Sequence, residues 1–333
     1  MLRVGVLGSG FMGGTHARAF AALPDVQVVG VSSRDAEKAA ELAAAVGAQP
    51  FADAHALATH EDVDAVSITL PTYLHTEYAV AALNAGKHVL LEKPMALSLD
   101  ECDQMIAAAK ASGRIFMLAH VLRFWPEYIA VADLVQSGAL GKPLTAMAWR
   151  HLTHPAWADW FNDASLSGGG VLDLHIHDLD ALNWILGQPA SIYSRGLRGP
   201  SGGFDHAISV VEYEGASAVA EGSTLMPSGY PFSMLFTVRC EGGVVEYVLR
   251  AGGEQVDSVD AGQNSLLVYR PGEAPQKLEC TPGDPYALEI AAFVEAAQSG
   301  VAPENGTPAQ GRLAVATALA ARNSIESGTV IAL

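Results

Sequence analysis

The sequence predicts an α/β chain in two parts: a doubly wound parallel sheet over residues 1–122, then an α+β domain over 123–333 carrying a large, mostly antiparallel open sheet. Three observations point there. At 333 residues the chain exceeds what one hydrophobic core comfortably fills. Up to about residue 120, short apolar runs alternate with alanine-rich helical stretches. Beyond it, alternating segments succeed one another with only Gly- and Pro-containing turns between them.

In the first part, strands are expected at Arg3–Leu7, Val26–Ser32, Ala65–Thr69, His88–Glu92 and Ile115–Ala119, with helices near 12–22, 35–46, 74–85 and 99–111. Strands apolar almost throughout and separated by helices belong to a parallel sheet covered on both faces. Gly47, Gly86 and Gly113 each follow a helical run, where the residue past the helix end needs positive φ. In the second part, a helix at 129–137 leads to an extended stretch near 144–153, a glycine-rich turn and a helix at 170–186. Strands follow at 206–213, 216–224, 233–240, 243–250 and 265–270; helices near 286–299 and 308–327 come last.

Composition narrows the function classes. Half the residues are apolar and 17% are charged, enough for packed cores. The formal net charge of −17 repels a phosphate backbone and an anionic bilayer, so neither nucleic acid nor membrane is expected as a partner. No apolar run approaches the length that spans a bilayer. The three cysteines are scattered and lack CxxC spacing, which reads as a reducing compartment, the cytoplasm by default.

Gly8-Ser9-Gly10-Phe11-Met12-Gly13 is a GxGxxG placed directly after the first strand and opening the first helix. The first glycine permits the tight turn, the second lets the backbone approach a pyrophosphate, and the third brings helix and strand together. The first part therefore reads as a Rossmann domain binding a dinucleotide at a helix N-terminus. Twenty residues past Gly13, where an acid would read the ribose of NAD, stand Ser32, Ser33 and Arg34. Two hydroxyls and a guanidinium suit a 2′-phosphate, so NADP is favoured over NAD. Asp35 is expected to cap the next helix instead.

Two clusters carry candidate chemistry. Glu92-Lys93-Pro94 ends a central strand, the place where open α/β sheets hold ligands. Pro94 restricts Lys93 to extended geometry, and the bond between them can be cis. The plain alternative is a surface ion pair at a strand end. The second cluster is Gly168-Gly169-Gly170 leading into a helix. At roughly 100° per residue, Leu172, Ile176, Leu179 and Leu186 form an apolar stripe on that helix, and Asp173, His177, Asp180 and Trp184 share a different face. Carboxylates, an imidazole and an indole on one stripe suit acid–base work on a sugar hydroxyl. On a regular helix the rings of His175 and His177 point about 160° apart, so no metal site is expected, and His175 reads as a packing residue. Trp157 and Trp160 are candidates for a sugar-stacking lip, and Arg123 for a pocket residue.

Together these motifs resemble the glucose–fructose oxidoreductase, inositol dehydrogenase and rhizopine-catabolism (Gfo/Idh/MocA) family. The resemblance rests on Glu-Lys-Pro, the Asp-x-x-x-His after the glycine-rich turn, Leu70-Pro71-Thr72-x-x-His75, the Arg-Phe-x-Pro step in 120–126, and the pattern around Tyr286, Glu289 and Phe293. Thr72 stands where many members have Asn, and His175 where many have Gly. The resemblance implies that Lys93 is the catalytic lysine, that Asp173 binds substrate hydroxyls and that His177 is the acid–base residue. It further implies that Leu70, Pro71 and His75 line the nicotinamide side of the cofactor site, with Glu92 beside them.

The expected reaction is hydride transfer between a secondary alcohol of a sugar, inositol or related polyol and the nicotinamide. The alternatives are a lyase or glycoside-cleaving enzyme that uses bound nicotinamide transiently, and a non-catalytic cofactor-binding regulator; intact Lys93, Asp173 and His177 argue against the latter. Because apolar residues occupy both parities of the second-part strands (Ile208, Val210 and Val219 against Val211, Ala218 and Ala220), a homodimer or homotetramer through that sheet is expected.

Overall fold

The computed structural model describes residues 1–154, 159–253 and 263–333. The chain divides into two compact units: Met1–Trp125 with Gly283–Arg312, and Pro126–Pro282 with Leu313–Leu333. This departs from a single cut between 122 and 123, because the chain leaves the first unit, builds most of the second, and then returns.

In the first unit, β1 (Leu2–Leu7), β2 (Val26–Ser32), β3 (Gln49–Phe51), β4 (Ala65–Ile68), β5 (His88–Glu92) and β6 (Phe116–Ala119) form one six-stranded sheet in the order β3-β2-β1-β4-β5-β6. Every neighbouring pair is parallel. The helices between them are α1 (Phe11–Ala21), α2 (Ala36–Val46), α3 (Ala54–Ala58), α4 (His75–Asn84) and α5 (Leu99–Ser112). Strand order reverses between β1 and β4, which opens a crevice at the carboxyl ends of these two strands. Local sequence sets the ends: Asp35 and Ser98 cap α2 and α5, and Gly47 and Gly113 close them in the left-handed conformation.

The second unit contains α6 (Pro126–Gln136), β7 (Pro143–Thr153), α7 (Ala164–Ser167), α8 (Ile176–Leu186), β8 (Pro189–Arg198), β9 (Phe204–Tyr213), β10 (Ala216–Met226), β11 (Ser233–Cys240), β12 (Gly243–Arg250), β13 (Gln263–Tyr269) and β14 (Gln276–Lys277). With β15 (Ile331–Ala332) near the chain's end they make a nine-stranded sheet ordered β14-β13-β12-β11-β7-β10-β9-β8-β15. The sheet is antiparallel apart from the parallel pair β7–β10. Side-chain parity separates its two faces. Ala146, Ala148, Val211, Ala218, Ala220, Val238 and Val245 are buried on the face that α6 and α8 pack against. Met147, Ile208 and Val210 are exposed on the other face, with Val219, Leu235 and Val248 half-buried among them.

After β14 the chain forms α9 (Pro285–Ser299), which belongs to the first unit. Its Ile290, Phe293, Val294 and Ala296 join the core cluster that contains Val4, Val6, Phe20 and Val31. Phe293 meets Phe20 of α1 edge to face, ring centroids 6.2 Å apart. The unit boundary then falls within the last helix, α10 (Pro308–Ser327).

Candidate active site

The glycine loop of the first unit is shaped by contacts that only hydrogen permits. Gly8 has φ +115°, and a Cβ there would lie 2.6 Å from Thr69 Oγ1. At Gly13 a Cβ would collide with the carbonyl oxygen of Gly8. At Gly10, by contrast, a Cβ would meet nothing within 4 Å, so the loop leaves an open cradle over the N-terminus of α1. Gly10 caps that helix without any side-chain acceptor, leaving the first amide groups around Phe11, Met12 and Gly13 to an incoming anion. The cradle fits a dinucleotide pyrophosphate.

Beside the cradle, Ser9 Oγ donates to Ser33 Oγ at 2.7 Å, and Ser33 Oγ also accepts from Asp35 N at 3.2 Å. Ser32 is buried at the end of β2, whereas Arg34 is exposed. Asp35 is occupied in capping α2: its carboxylate accepts from Glu37 N and Lys38 N, contacts that hold it below its ordinary range. The hydroxyls of Ser9 and Ser33 thus lie beside the cradle, the exposed Arg34 follows in the chain, and the neighbouring acid Asp35 has a structural task.

At the end of β5 the Lys93–Pro94 bond is cis. Lys93 is half-buried and engaged. Glu92 turns inward and is 7% exposed, with His16 Nε2 3.2 Å from its Oε1 and Lys93 N donating to its Oε2 at 3.0 Å. Burial alone would raise the Glu92 carboxyl; His16 and the Lys93 charge outweigh it and hold the group below its ordinary range. His16 in turn places Nδ1 2.8 Å from Ser67 Oγ. His75 turns inward too, its ring nitrogens each 2.9 Å from a carbonyl oxygen, those of Pro94 and Leu70. Burial lowers its pKa. Glu92, expected beside the cofactor, holds His16 and the Lys93 amide, and His75 holds two backbone carbonyls. His75 ties the Leu70-Pro71 loop to Pro94, so the half-buried Leu70 and Pro71 are left to border the crevice.

Glu289 of α9 is fully buried, and neither of its carboxyl oxygens has a hydrogen-bond partner among the described residues. Burial, with the Glu92 charge adding to it, raises its pKa well above the ordinary value. Arg123 is buried and engaged in the turn after β6. A groove between Leu23–Val26 and α9 opens at the amino end of β2, the edge opposite the glycine cradle.

In the second unit the expected regular helix begins differently. Gly168 and Gly169, both with positive φ, end α7, and residues Val171–His175 form a π turn before α8 starts at Ile176. The extra residue in that turn shifts Asp173 relative to the stripe on α8; Asp173, His177 and Trp184 are half-buried, and Asp180 is 1% exposed. Asp173, His177, Asp180 and Trp184 are all engaged by other groups. Asp173 lines a hollow shared with His154, Phe161, Asp205 and Thr224. His175 points away from it. Its Nε2 lies 2.8 Å from Ser209 Oγ, and burial pushes its pKa down to about 3. Gly222 of β10 makes room for that ring, since a Cβ there would lie 2.9 Å from Nδ1. Trp160 stacks on Phe161 at 4.0 Å and 27°. Trp157 lies outside the described residues. Asp178, next to His177, forms two parallel hydrogen bonds with Arg150 of β7, at 3.1 and 3.0 Å.

A family model described as an oxidoreductase family with an NAD-binding Rossmann fold matches residues 2–120, and the GFO/IDH/MocA C-terminal domain model matches 128–246. The chain belongs to the Gfo/Idh/MocA oxidoreductase family. Family relatives include the scyllo-inositol 2-dehydrogenase (NADP(+)) of Bacillus subtilis, 30% identical over 240 residues, 69% of this chain and 72% of that one. Inositol 2-dehydrogenase 3 of Saccharopolyspora erythraea is 32% identical over 189 residues, a match that spans 56% of this chain and only 54% of the relative. Among solved structures, the aldose-aldose oxidoreductase from Caulobacter crescentus, complexed with glycerol, shares the fold at a TM-score of 0.86, with 22% identity and coverage of 100% and 99%. Sequence reasoning passed over His16, Arg150 and Asp205. Each is a polar residue set among positions that face the core, and that is the signal by which each was open to being found.

Proposed function

We propose that this Gfo/Idh/MocA protein transfers a hydride between a secondary alcohol carbon of a sugar, inositol or related polyol and a nicotinamide cofactor. The observation that carries the reading is the conjunction, in one chain, of an open glycine cradle, a half-buried Asp173 on the π turn and a half-buried His177 in the first turn of α8. The relatives' names, inositol dehydrogenases among them, support the substrate class.

When bound, the nicotinamide supplies the hydride acceptor or donor. The chain's own residues do the rest. His177 takes the hydroxyl proton on oxidation and returns it on reduction; Lys93 stabilises the negative charge that develops on the oxygen; Asp173 holds substrate hydroxyls and orients His177. Trp160, stacked on Phe161, offers an aromatic wall to a sugar ring, and Arg123 is retained as a substrate residue.

Ser33 and Arg34 favour NADP, since Asp35 spends its carboxylate on α2. Exposed Met147, Ile208 and Val210 support a homodimer or homotetramer formed by sheet packing. No helix among the described residues is long and apolar enough to cross a membrane, and with three free cysteines we assign the protein to the cytoplasm.

The test is a panel of inositols, sugars and sugar acids with both cofactors. Lys93→Met and His177→Ala should each lower kcat by at least about 10²-fold, the lower range for a positioned acid–base group, with cofactor affinity retained. Activity within a few-fold of the parent refutes these roles. Product formed without net change in cofactor absorbance replaces the dehydrogenase reading with transient oxidation in a lyase.

A further inference from the structure

Asp205 stands at the head of β9, 1% exposed, and walls the same hollow as Asp173. Its carboxyl group accepts three hydrogen bonds. Gly170 N and Ser201 Oγ donate to Oδ1 at 3.1 and 2.5 Å, and Ser201 N donates to Oδ2 at 2.9 Å. Its backbone carbonyl also accepts from Thr224 Oγ1 of β10. One side chain therefore ties together the turn before β9, the strand itself and the residue at which the π turn begins.

The fit around it is close. A Cβ on Gly170 would lie 2.8 Å from Asp205 Cα, and one on Gly199 would lie 2.5 Å from Oδ2. Both glycines face Asp205, so the backbone on either side is built to approach this carboxyl group. All three of its donors are neutral, in contrast with Asp178, whose carboxylate is balanced by Arg150. Burying a carboxylate on neutral donors is costly, and capping alone does not require it, because Ser or Asn caps a helix start as well. What the carboxylate adds is two acceptor atoms in one plane, which fix the direction in which the chain leaves Gly170. Asp173 follows three residues later and His177 seven residues later, so a rotation at Gly170 passes directly into both.

We propose that Asp205 is a positioning residue: by holding Gly170 N and the 199–203 turn on one carboxylate, it sets the π-turn register in which Asp173 and His177 meet an alcohol. This rests on the hydride-transfer reading above.

The experiment uses the full chain and the polyol that the wild type turns over, with kcat expressed per cofactor-binding site counted by titration. Asp205→Ala should lower kcat by about ten-fold or more, inside the loss that ångström-scale misplacement causes, and should raise the isotope effect of deuterium at the reacting carbon. Asp205→Asn, which keeps the shape and one acceptor oxygen, should recover about a third or more of that loss on a logarithmic scale. A purely structural cap would lower the melting temperature while leaving kcat per site within about two-fold and the isotope effect unchanged, and that result overturns the proposal. If Asp205→Ala does not fold, Ser201→Ala removes the Oγ bond to Asp205, together with the one that Gly203 N donates to the same oxygen, and leaves the carboxylate in place. It should still lower kcat measurably with an unaltered circular dichroism spectrum, and an unchanged kcat there overturns the proposal as well. A wild type inactive on every polyol refutes the hydride-transfer reading and this inference with it; an active wild type with unaffected variants refutes this inference alone.

Discussion

Replacing Asp178 by Ala tests how α8 is held in place. The Arg150 side chain is 5% exposed and that of Asp178 is fully buried, and their two parallel bonds place the guanidinium and carboxylate in one plane. Asp178→Ala leaves the guanidinium buried against Tyr128 Oη at 3.4 Å, Met234 Sδ at 3.1 Å and the ring of Phe232 at 5.8 Å. None of these is a charged acceptor. Breaking a buried pair on one side costs about 3–5 kcal/mol, because the other charge is left uncompensated. For a unit of this size each kcal/mol shifts the melting temperature by about 2–4 °C, so a fall of roughly 6–20 °C is expected. Scanning calorimetry, with near-ultraviolet circular dichroism as a second probe, reads it. Replacing both partners with apolar residues, Arg150→Met with Asp178→Leu, should recover most of the loss, since hydrophobes of similar volume substitute for a buried pair at little cost. A single variant that loses less than about 1 kcal/mol, or a double variant no better than the single one, refutes the argument that desolvated charge governs this site.

Three further outcomes are expected. NADP(H) should bind more tightly than NAD(H), and Arg34→Ala should abolish the preference in titration calorimetry; an equal or reversed preference in the parent contradicts this reading. Glu289 has its folded pKa raised, so its contribution to stability is fully present below the ordinary glutamate value and is lost as pH rises through the folded pKa. Melting temperatures from pH 4 upward should therefore fall in the parent relative to Glu289→Gln, and parallel profiles would show that the carboxyl is not held neutral. Light scattering at micromolar concentration should give at least twice the mass of one chain, with Ile208→Asp and Val210→Asp together shifting it toward the monomer. A monomeric parent removes the sheet-packing proposal.

Much of the first unit was legible in the sequence. β1, β2, β4, β5 and β6 are apolar on both faces, and Gly47, Gly86 and Gly113 mark where the helices before them stop. β3 escaped because its three residues, Gln49-Pro50-Phe51, carry no period. β8 escaped because only Pro189, Ile192 and Ser194 are buried along its ten residues. The π turn has no compositional signature: one extra residue changes the register without changing the residue types. Lys93, Asp173 and His177 stood out because chemistry-bearing groups interrupted apolar patterns. Arg150 and Asp205 did not, although each occupies an inward parity beside Ala148 and Ala207, where a charged side chain demands a partner. The intrachain partners of Glu92 and His75 were not legible, since His16 and the carbonyls of Leu70 and Pro94 meet them only once the chain has folded.

The return of α9 governs the order in which the chain can mature during synthesis. Val4, Val6 and Phe20 emerge from the ribosome early, yet part of the apolar surface they pack against, Ile290, Phe293 and Val294, is translated nearly three hundred residues after the start. Domains generally fold as units in N-to-C order, but here the N-terminal sheet must wait, incompletely covered, while all but the last strand of the intervening sheet is made. A nascent chain halted between residues 125 and 283 therefore exposes one side of α1 to solvent. In the cell that interval is when a holding chaperone has the most to bind, and a fragment ending at residue 125 makes a poor stand-in for the finished cofactor-binding unit.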